Sequence, residues 1–166
     1  NYCINLVKPK LVILSLKFKN HKKLDSIKNK KLISLSTSFE RQITSIKPYN
    51  GRSLGEGEDI LVILFTSGTT GYPKGAKISH RAFISRALYF SFEYNIDKYD
   101  TFPAWAPMFH MASTDLAIGS LLIGGSVAFI DGFNPRKITN LIKKYKLSWL
   151  VLMPGMLEEY IKFIED

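Results

Sequence analysis

The chain has 166 residues, of which 46% are hydrophobic and 13% aromatic. This composition supports a domain with a hydrophobic core and excludes an intrinsically disordered chain. A single cysteine, Cys3, excludes an internal disulfide framework and fits a reducing compartment, so we expect a cytoplasmic protein. No signal peptide or transmembrane segment is predicted, because the longest uncharged stretch, residues 116–130, is shorter than the ~20 residues of a membrane helix. The chain starts at Asn1, as expected for a piece of a longer protein.

The formal net charge of +9 has its densest source in residues 17–31, which contain seven lysines. Such a run indicates a nucleic-acid site when arginine forks or aromatic stacking platforms accompany it. Here Phe18 is the only aromatic residue of the run, and arginine is absent from it. We therefore predict a solvated surface and no nucleic-acid partner, and the sequence leaves the oligomeric state open.

Apolar runs predict the strands. Residues 11–16 and 60–65 are continuous hydrophobic runs, as expected for strands that are covered on both faces. Further candidate strands are residues 32–35, 127–130 and 147–152. Residues 101–106 form another candidate, although Pro103 would confine it to an edge or an irregular end.

Helical spacing predicts the elements between these strands. One apolar face comprises Phe83, Ala87, Phe90 and Tyr94. Residues 116–130 fit a buried helix followed by a turn and a strand. Two more helices are predicted to start at Asn134-Pro135 and at Pro154, with apolar faces formed by Ile138, Leu141, Ile142 and Tyr145, and by Leu157, Tyr160, Ile161 and Ile164. With residues 48–59 as a loop, this alternation predicts an α/β fold with a partial, mostly parallel sheet and helices on its faces.

The segment after the strand at residues 60–65 carries the clearest chemical signal. It reads Thr66, Ser67, Gly68, Thr69, Thr70, Gly71, Tyr72, Pro73, Lys74, Gly75. Glycines permit positive φ and close approach of backbone N–H groups, which together form an anion-binding concavity. The hydroxyl groups add donors, and Lys74 adds a positive charge suited to a phosphate. No window of the chain matches a Walker loop or a G-x-G-x-x-G fingerprint.

This order of residues resembles the phosphate loop of the adenylate-forming superfamily, which includes acyl-CoA synthetases, luciferases and peptide-synthetase adenylation domains. All ten positions fit, with Tyr72 at the variable site, and Ile78-Ser79-His80 resembles the usual continuation. The resemblance implies that Thr66 to Gly71, with Pro73, Lys74 and Gly75, holds the phosphates of ATP. It is strong from residue 59 onward, so residues 59–166 are interpreted as the phosphate-loop and acyl-pocket part of the AMP-binding domain. Residues 1–58 are interpreted as its opening part.

A second segment, Pro107-Met108-Phe109-His110-Met111, resembles the Pro-x-Phe-His segment of the same superfamily. The resemblance implies that Phe109 and His110 line the substrate pocket. Taken alone, His110 would more readily be a structural histidine that bonds a backbone carbonyl. Two weaker similarities, at Asn134-Pro135 and Met153-Pro154, are interpreted as structural.

The resemblance implies ATP-dependent conversion of a carboxylic acid, most simply a fatty acid, to an acyl-adenylate, followed by transfer to CoA. ATP, CoA and the acid would be the small-molecule partners, and Mg²⁺ would assist. The superfamily's later Glu linked to Mg²⁺, its ribose-binding Asp and the lysine of its C-terminal lid domain have no counterpart before Asp166. We therefore assign no catalytic or metal-binding residue and expect the 166 residues alone to be inactive. A peptide-synthetase-type adenylation domain and a non-catalytic remnant remain as alternatives.

Overall fold

The computed structural model describes residues 2–18, 31–52, 54–67 and 71–165. The backbone divides into two compact units, Asn1–Leu54 with Ser67–Gly75, and Gly55–Thr66 with Ala76–Asp166. The helices are α1 (Tyr2–Val7), α2 (Thr37–Ser45), α3 (His80–Glu93), α4 (Met111–Leu122), α5 (Pro135–Lys144) and α6 (Met156–Glu165). The strands are β1 (Leu11–Ser15), β2 (Lys31–Leu35), β3 (Ile60–Thr66), β4 (Lys74–Ser79), β5 (Thr101–Ala104) and β6 (Ser126–Phe129).

The predicted α/β class is confirmed. The described strands form three two-stranded sheets, β1–β2, β3–β4 and β5–β6, where the sequence predicted one partial sheet. The β1–β2 and β5–β6 pairs are parallel, as predicted. The sequence predicted a division of the domain at residue 58, because the family resemblance is strong only from residue 59 onward. The two compact units do not test that division, so it stays a prediction.

In the first unit, β1 and β2 pair in register from Leu11 opposite Lys31 to Ser15 opposite Leu35. A short 3-10 turn, Leu16–Phe18, ends β1. Helix α2 begins where Ser36 Oγ accepts a hydrogen bond from the Phe39 N–H at 3.2 Å, a standard N-cap. Both strands were predicted to within one residue. Most of the lysine run, residues 19–30, lies outside the described residues.

In the second unit, the strand predicted at residues 60–65 is present as β3, whereas its partner β4 was not predicted. The expected cover on both faces is wrong, because the β3 side chains are half-buried or exposed. The β4 sequence Lys-Gly-Ala-Lys-Ile-Ser has little apolar character, so pairing with β3 rather than intrinsic propensity makes it a strand. Helix α3 follows directly and is capped by Ser79, whose Oγ accepts from the Ala82 N–H. The first free N–H groups of α3 bond backward to the preceding loop, His80 to the Asp59 carbonyl at 3.1 Å and Arg81 to the Gly57 carbonyl at 2.8 Å.

Helix α4 links the parallel strands β5 and β6 and supplies most of the core. Its buried residues pack with β5, and the central cluster contains Phe102, Ala104, Leu116 and Ala117. Gly119 allows α4 to approach α3 closely, since a Cβ there would lie 3.4 Å from the Cβ of Ala87. Gly125 is required after the helix, because a Cβ would lie 3.0 Å from the carbonyl oxygen of Asp100.

A second cluster of Trp105, Ala106, Ile130 and Ile138 anchors α5 and α6. The predicted start of α5 is confirmed, with Asn134 Oδ1 accepting from the Lys137 N–H at 3.0 Å and Pro135 in the first turn. The predicted start of α6 at Pro154 is wrong by two residues, because Gly155 has a φ of +86° that no helix permits. The packed stripe of α6 is also rotated from the predicted one: Met156 and Tyr160 reach the cluster, whereas Leu157, Ile161 and Ile164 are exposed.

The strand predicted at residues 147–152 is wrong. This segment runs beside β5 and starts a ladder with it, because the Thr101 N–H bonds the Lys146 carbonyl at 2.8 Å. Alternate backbone N–H groups of a strand point to the same side, so the next bond would come from Pro103, which has no N–H. Side-chain hydrogen bonds replace the missing backbone bonds along this segment. The carboxylate of Asp100 accepts from the Ser148 N–H, and the indole Nε1–H of Trp105 donates to the Val151 carbonyl at 2.8 Å.

Asp100 is 2% exposed and organises this region. Its carboxylate accepts hydrogen bonds from the Ser148 N–H at 3.0 Å, the Ser148 hydroxyl at 2.6 Å, the Asp97 N–H at 2.9 Å and Lys146 Nζ at 3.3 Å. Burial raises the pKa of Asp100, but the bonds from Ser148, Asp97 and Lys146 outweigh it, so the pKa lies below its ordinary value. The hydrogen bond from Lys146 also lowers the pKa of Asp97, and in return Asp97 and Asp100 raise the pKa of Lys146.

These shifts predict acid sensitivity. A carboxylate whose folded-state pKa is depressed stabilises the fold above its unfolded pKa of about 3.9, and this stability is lost as the pH falls through the folded pKa. We expect the free energy of unfolding, measured by urea denaturation, to fall between about pH 5 and pH 2. The Asp100→Asn variant should be less stable than wild type at pH 7 and should lose less stability over the same interval. Parallel curves for wild type and Asp100→Asn, with Asp131→Asn as an exposed control, would contradict this assignment.

Candidate functional site

The predicted phosphate loop is described at both ends. Thr66 is the last residue of β3, and Ser67 follows it with an exposed side chain. Gly68, Thr69 and Thr70 lie outside the described residues. Gly71 has a φ of +86°, and among the described residues no heavy atom lies within 4 Å of the position that a Cβ would take. The loop ends at Lys74, the exposed first residue of β4, between half-buried Pro73 and Gly75.

Tyr72, at the variable position of the loop, packs within the first unit. Its ring lies 5.3 Å from the ring of Tyr2 in α1, centroid to centroid, at an interplanar angle of 34°. Both rings remain largely exposed. This ring contact connects the loop to α1. It is made by the one loop position at which the family pattern does not specify a residue type.

The described part of the loop has the chemistry of an anion site. The positive φ of Gly71 is strained for any L-residue with a Cβ, so a glycine is needed there for conformational reasons. The exposed Ser67 and Lys74 supply a hydroxyl donor and a compact positive charge. These residues suit an oxyanion with several acceptor oxygens.

The second predicted segment forms a tight turn between β5 and α4, in the second unit. The His110 N–H bonds the Pro107 carbonyl at 2.8 Å. Two buried hydroxyls of α4 pin the turn from behind: Ser113 Oγ donates to the Ala106 carbonyl at 2.6 Å, and Thr114 Oγ1 donates to the Met108 carbonyl. Phe109, at the tip, is 78% exposed.

His110 has a structural role that the sequence did not predict. It is the N-cap of α4, and its Nδ1 accepts a hydrogen bond from the Ala112 N–H at 3.2 Å. An imidazole that accepts at Nδ1 carries its hydrogen at Nε2, so the neutral ring offers an N–H donor on its opposite edge. The side chain is exposed, which leaves that donor accessible.

Sequence reasoning missed a charged and aromatic group on the facing sides of α3 and α4. Arg86 donates from Nε to Asp115, a carboxylate only 3% exposed, and its guanidinium lies 4.7 Å from the ring centroid of Phe90. Phe90 and Tyr94 stack with Trp149, the latter pair at an interplanar angle of 3°. An available signal was Asp115 itself, the only charged residue of α4.

The described ranges, 2–18, 31–52, 54–67 and 71–165, contain no cluster of side chains suited to bind Mg²⁺. No group of three or more His, Cys, Asp or Glu side chains there could hold a metal ion. Among the same residues, no helix combines the length and apolar character that crossing a membrane requires.

Comparison with known proteins identifies relatives over nearly the whole chain. The profile of a family described as AMP-binding enzyme matches residues 1–164. A chloroplastic/peroxisomal 2-succinylbenzoate–CoA ligase of Arabidopsis thaliana is 27% identical over 128 residues, covering 77% of this chain and 23% of the relative. Gramicidin S synthase 2 of Brevibacillus brevis is 28% identical over 124 residues, covering 70% of this chain and 3% of the relative.

The fold agrees with a solved structure. The O-succinylbenzoate coenzyme A synthetase of Bacillus subtilis, in complex with AMP, superposes with a TM-score of 0.81 at 16% identity. The match covers 98% of this chain and 41% of that one. The chain therefore spans less than half the length of each of these proteins.

The two roles considered for His110 can be separated by substitution. Asn is a good N-cap residue, whereas Ala removes the side-chain acceptor at a typical cost of ~1 kcal/mol. We expect His110→Ala to lower the free energy of unfolding by about that amount and His110→Asn to preserve most of it. If His110 also contacts the acid that the family resemblance implies, both variants of the full-length protein should raise the KM for that acid with little change in the KM for ATP. Wild-type KM values for His110→Asn would mean that His110 acts only as the N-cap of α4.

Proposed function

The chain belongs to the AMP-binding enzyme family, and on that premise we propose that the complete protein joins a carboxylic acid to CoA at the expense of ATP. The observation that carries this proposal is the loop Thr66–Gly75, which fits the adenylate-forming pattern at all ten positions and follows the strand β3. The CoA-ligase relative supports the choice of acceptor. The proposed class is an AMP-forming acid–thiol ligase.

The proposed reaction has two displacement steps. A carboxylate oxygen of the acid attacks the α-phosphorus of ATP, the bond to the bridging oxygen breaks, and pyrophosphate leaves. The thiol sulfur of CoA then attacks the carbonyl carbon of the acyl-adenylate, loses its proton, and AMP leaves with the electron pair of the cleaved C–O bond. Both steps depend on positioning and charge neutralisation more than on covalent help from the protein.

Three described residues of the loop would take part in holding the phosphates. Lys74 would neutralise the β- and γ-phosphates, and Ser67 would donate a hydroxyl hydrogen bond to the same oxygens. Gly71 would let the backbone follow the phosphates closely. Mg²⁺, when bound with the nucleotide, would share the neutralisation of charge.

The acid side is assigned to the turn before α4. The Nε2–H of His110 would donate to an oxygen of the acid or of its adenylate, since Nδ1 is occupied by the Ala112 N–H. The exposed ring of Phe109 would contact the apolar body of the acid. The sequence expectation of a fatty acid belongs to this proposal, as does a cytoplasmic location.

A peptide-synthetase-type adenylation domain is the second candidate function. The similarity to gramicidin S synthase 2 favours it, and at comparable identity that similarity is nearly as extensive as the similarity to the CoA ligase. The Pro-x-Phe-His segment ending at His110 favours the CoA ligase, because it resembles that branch of the superfamily.

Substitution of Lys74 tests the phosphate loop in the full-length protein. Lys74→Ala removes charge-assisted hydrogen bonds worth roughly 1.5–3 kcal/mol. We expect kcat/KM for ATP to fall by at least about tenfold, while the thermal midpoint stays unchanged because the side chain is exposed. Lys77→Ala, at an exposed lysine of the same strand β4, is the matched control and should keep wild-type kinetics. Equal effects of the two substitutions would remove Lys74 from the phosphate site.

Product analysis tests the function itself. The full-length protein should convert ATP to AMP and pyrophosphate when given CoA and a fatty or aromatic acid, measured by chromatography of nucleotides and thioesters. The 166-residue chain alone should give only background pyrophosphate release. Amino-acid thioesters on a carrier protein, without any acyl-CoA, would favour the peptide-synthetase alternative. Release of ADP would overturn the proposal.

A further inference from the structure

Tyr72 gives the loop Thr66–Gly75 a side-chain contact inside the first unit. Its ring centroid lies 5.3 Å from that of Tyr2 in α1, at an interplanar angle of 34°. This separation falls within the ~4.5–7 Å at which aromatic pairs attract each other. Residues 67–75 also cluster with residues 1–54 into one compact unit. The loop is therefore held from the side of α1, in addition to the chain that precedes and follows it.

The neighbours of Tyr72 in the chain make this contact effective. Gly71, with a φ of +86°, is the residue type that loses most conformational freedom when a chain is ordered. Pro73 has a fixed φ and restricts the residue before it to extended conformations. Tyr72 thus joins the most flexible residue type to the most rigid one. Fixing its ring consequently sets the direction in which the loop backbone enters β4 at Lys74.

The ring pair contributes little to the hydrophobic core. Tyr2 is 44% exposed and Tyr72 is 67% exposed, and each of the six residues of α1 is exposed or half-buried. Removing either ring therefore shortens an exposed side chain rather than opening a cavity in the core. We expect the loss to appear as a less ordered loop and not as a less stable fold. A ligand that requires the ordered loop then binds more weakly.

We propose that Tyr72 and Tyr2 are positioning residues for ATP, whose packed rings order the phosphate loop before the nucleotide binds. Lys74, two residues after Tyr72, is then already placed for the phosphates, and neither ring needs to touch the nucleotide. The inference rests on the proposed function, in which the loop holds the phosphates. It goes beyond the family pattern, which leaves position 72 unspecified, and it gives α1, which carries no motif, a task in ATP binding.

Substitutions at both ends of the contact test the inference in the full-length protein. The dissociation constant of MgATP is measured by titration calorimetry in the absence of the acid. Tyr72→Ala and Tyr2→Ala should each raise it by about two- to tenfold, which corresponds to the loss of one aromatic pair. Tyr72→Phe keeps the ring and should stay close to wild type. The KM for the acid should change by less than about twofold in every variant, because the contact acts on the phosphate loop alone.

A double-mutant cycle identifies the ring contact as the cause. If the two rings act together, the double variant Tyr2→Ala with Tyr72→Ala should weaken MgATP binding no more than the stronger single variant does. Tyr49→Ala removes another exposed tyrosine of the first unit, at 76% exposure, and is the matched control with wild-type affinity expected. Thermal midpoints of all these variants should match that of wild type, because the three side chains are exposed.

The possible failures can be told apart with Lys74→Ala as the reference. Wild-type MgATP affinity in Tyr72→Ala or in Tyr2→Ala, or additive effects in the double variant, would overturn the inference. The proposed function would stand in that case if Lys74→Ala still weakens MgATP binding. An equal rise in the KM for the acid, with a lowered thermal midpoint, would also overturn the inference, because it would mark a general loss of structure. Wild-type MgATP affinity in Lys74→Ala would overturn the phosphate-loop assignment itself.

Discussion

The buried carboxylate of Asp100 replaces a missing strand ladder and thereby positions the aromatic stack around Trp149. Pro103 deprives β5 of the N–H that would bond the segment at residues 147–152. Asp100 binds the start of that segment through Ser148 and Lys146. Because the segment is held at its start and again at Val151, Trp149 between them stacks on Phe102, Phe90 and Tyr94. A buried carboxylate thus fixes the aromatic stack of Phe90, Tyr94 and Trp149.

In the proposed function, the turn before α4 would serve both folding and chemistry. Its outward residues, Phe109 and His110, are exposed, whereas the hydroxyls of Ser113 and Thr114 hold it from the buried side. The helix cap consumes one nitrogen of His110 and directs the other away from the helix backbone. Such preorganisation matters in acyl transfer, because a donor that is already oriented costs no further ordering when the substrate binds.

Local sequence signals predicted the elements whose stability is local. The caps at Asn134 and Pro135, the apolar face of α3 and the continuous strand β3 all follow from chemistry within a few residues. Elements that depend on distant partners were missed or misread. Strand β4 exists because β3 pairs with it, and residues 147–152 have strand composition but lack a bonding partner because of a proline some 45 residues earlier.

The same division applies to the site. The phosphate loop was readable because its residues are contiguous, and the loop's described ends have the conformation and exposure that an anion site needs. The Arg86–Asp115 ion pair could not be predicted from the sequence, because the two residues lie 29 positions apart on two helices and neither belongs to a motif. Periodicity placed Phe90 and Tyr94 on one face of α3, but only the folded chain reveals that Trp149 completes the stack.

The two tryptophans differ in one respect that makes them natural reporters. The indole N–H of Trp105 is bonded to the Val151 carbonyl, whereas that of Trp149 is buried without an acceptor in the described part of the chain. Hydrogen bonding moves an indole proton downfield in a magnetic resonance spectrum, so the two side chains should give well-separated signals without any label at other residues. The Trp105 signal then monitors the packed interior at α5 and α6, and the Trp149 signal monitors the aromatic stack with Phe90 and Tyr94.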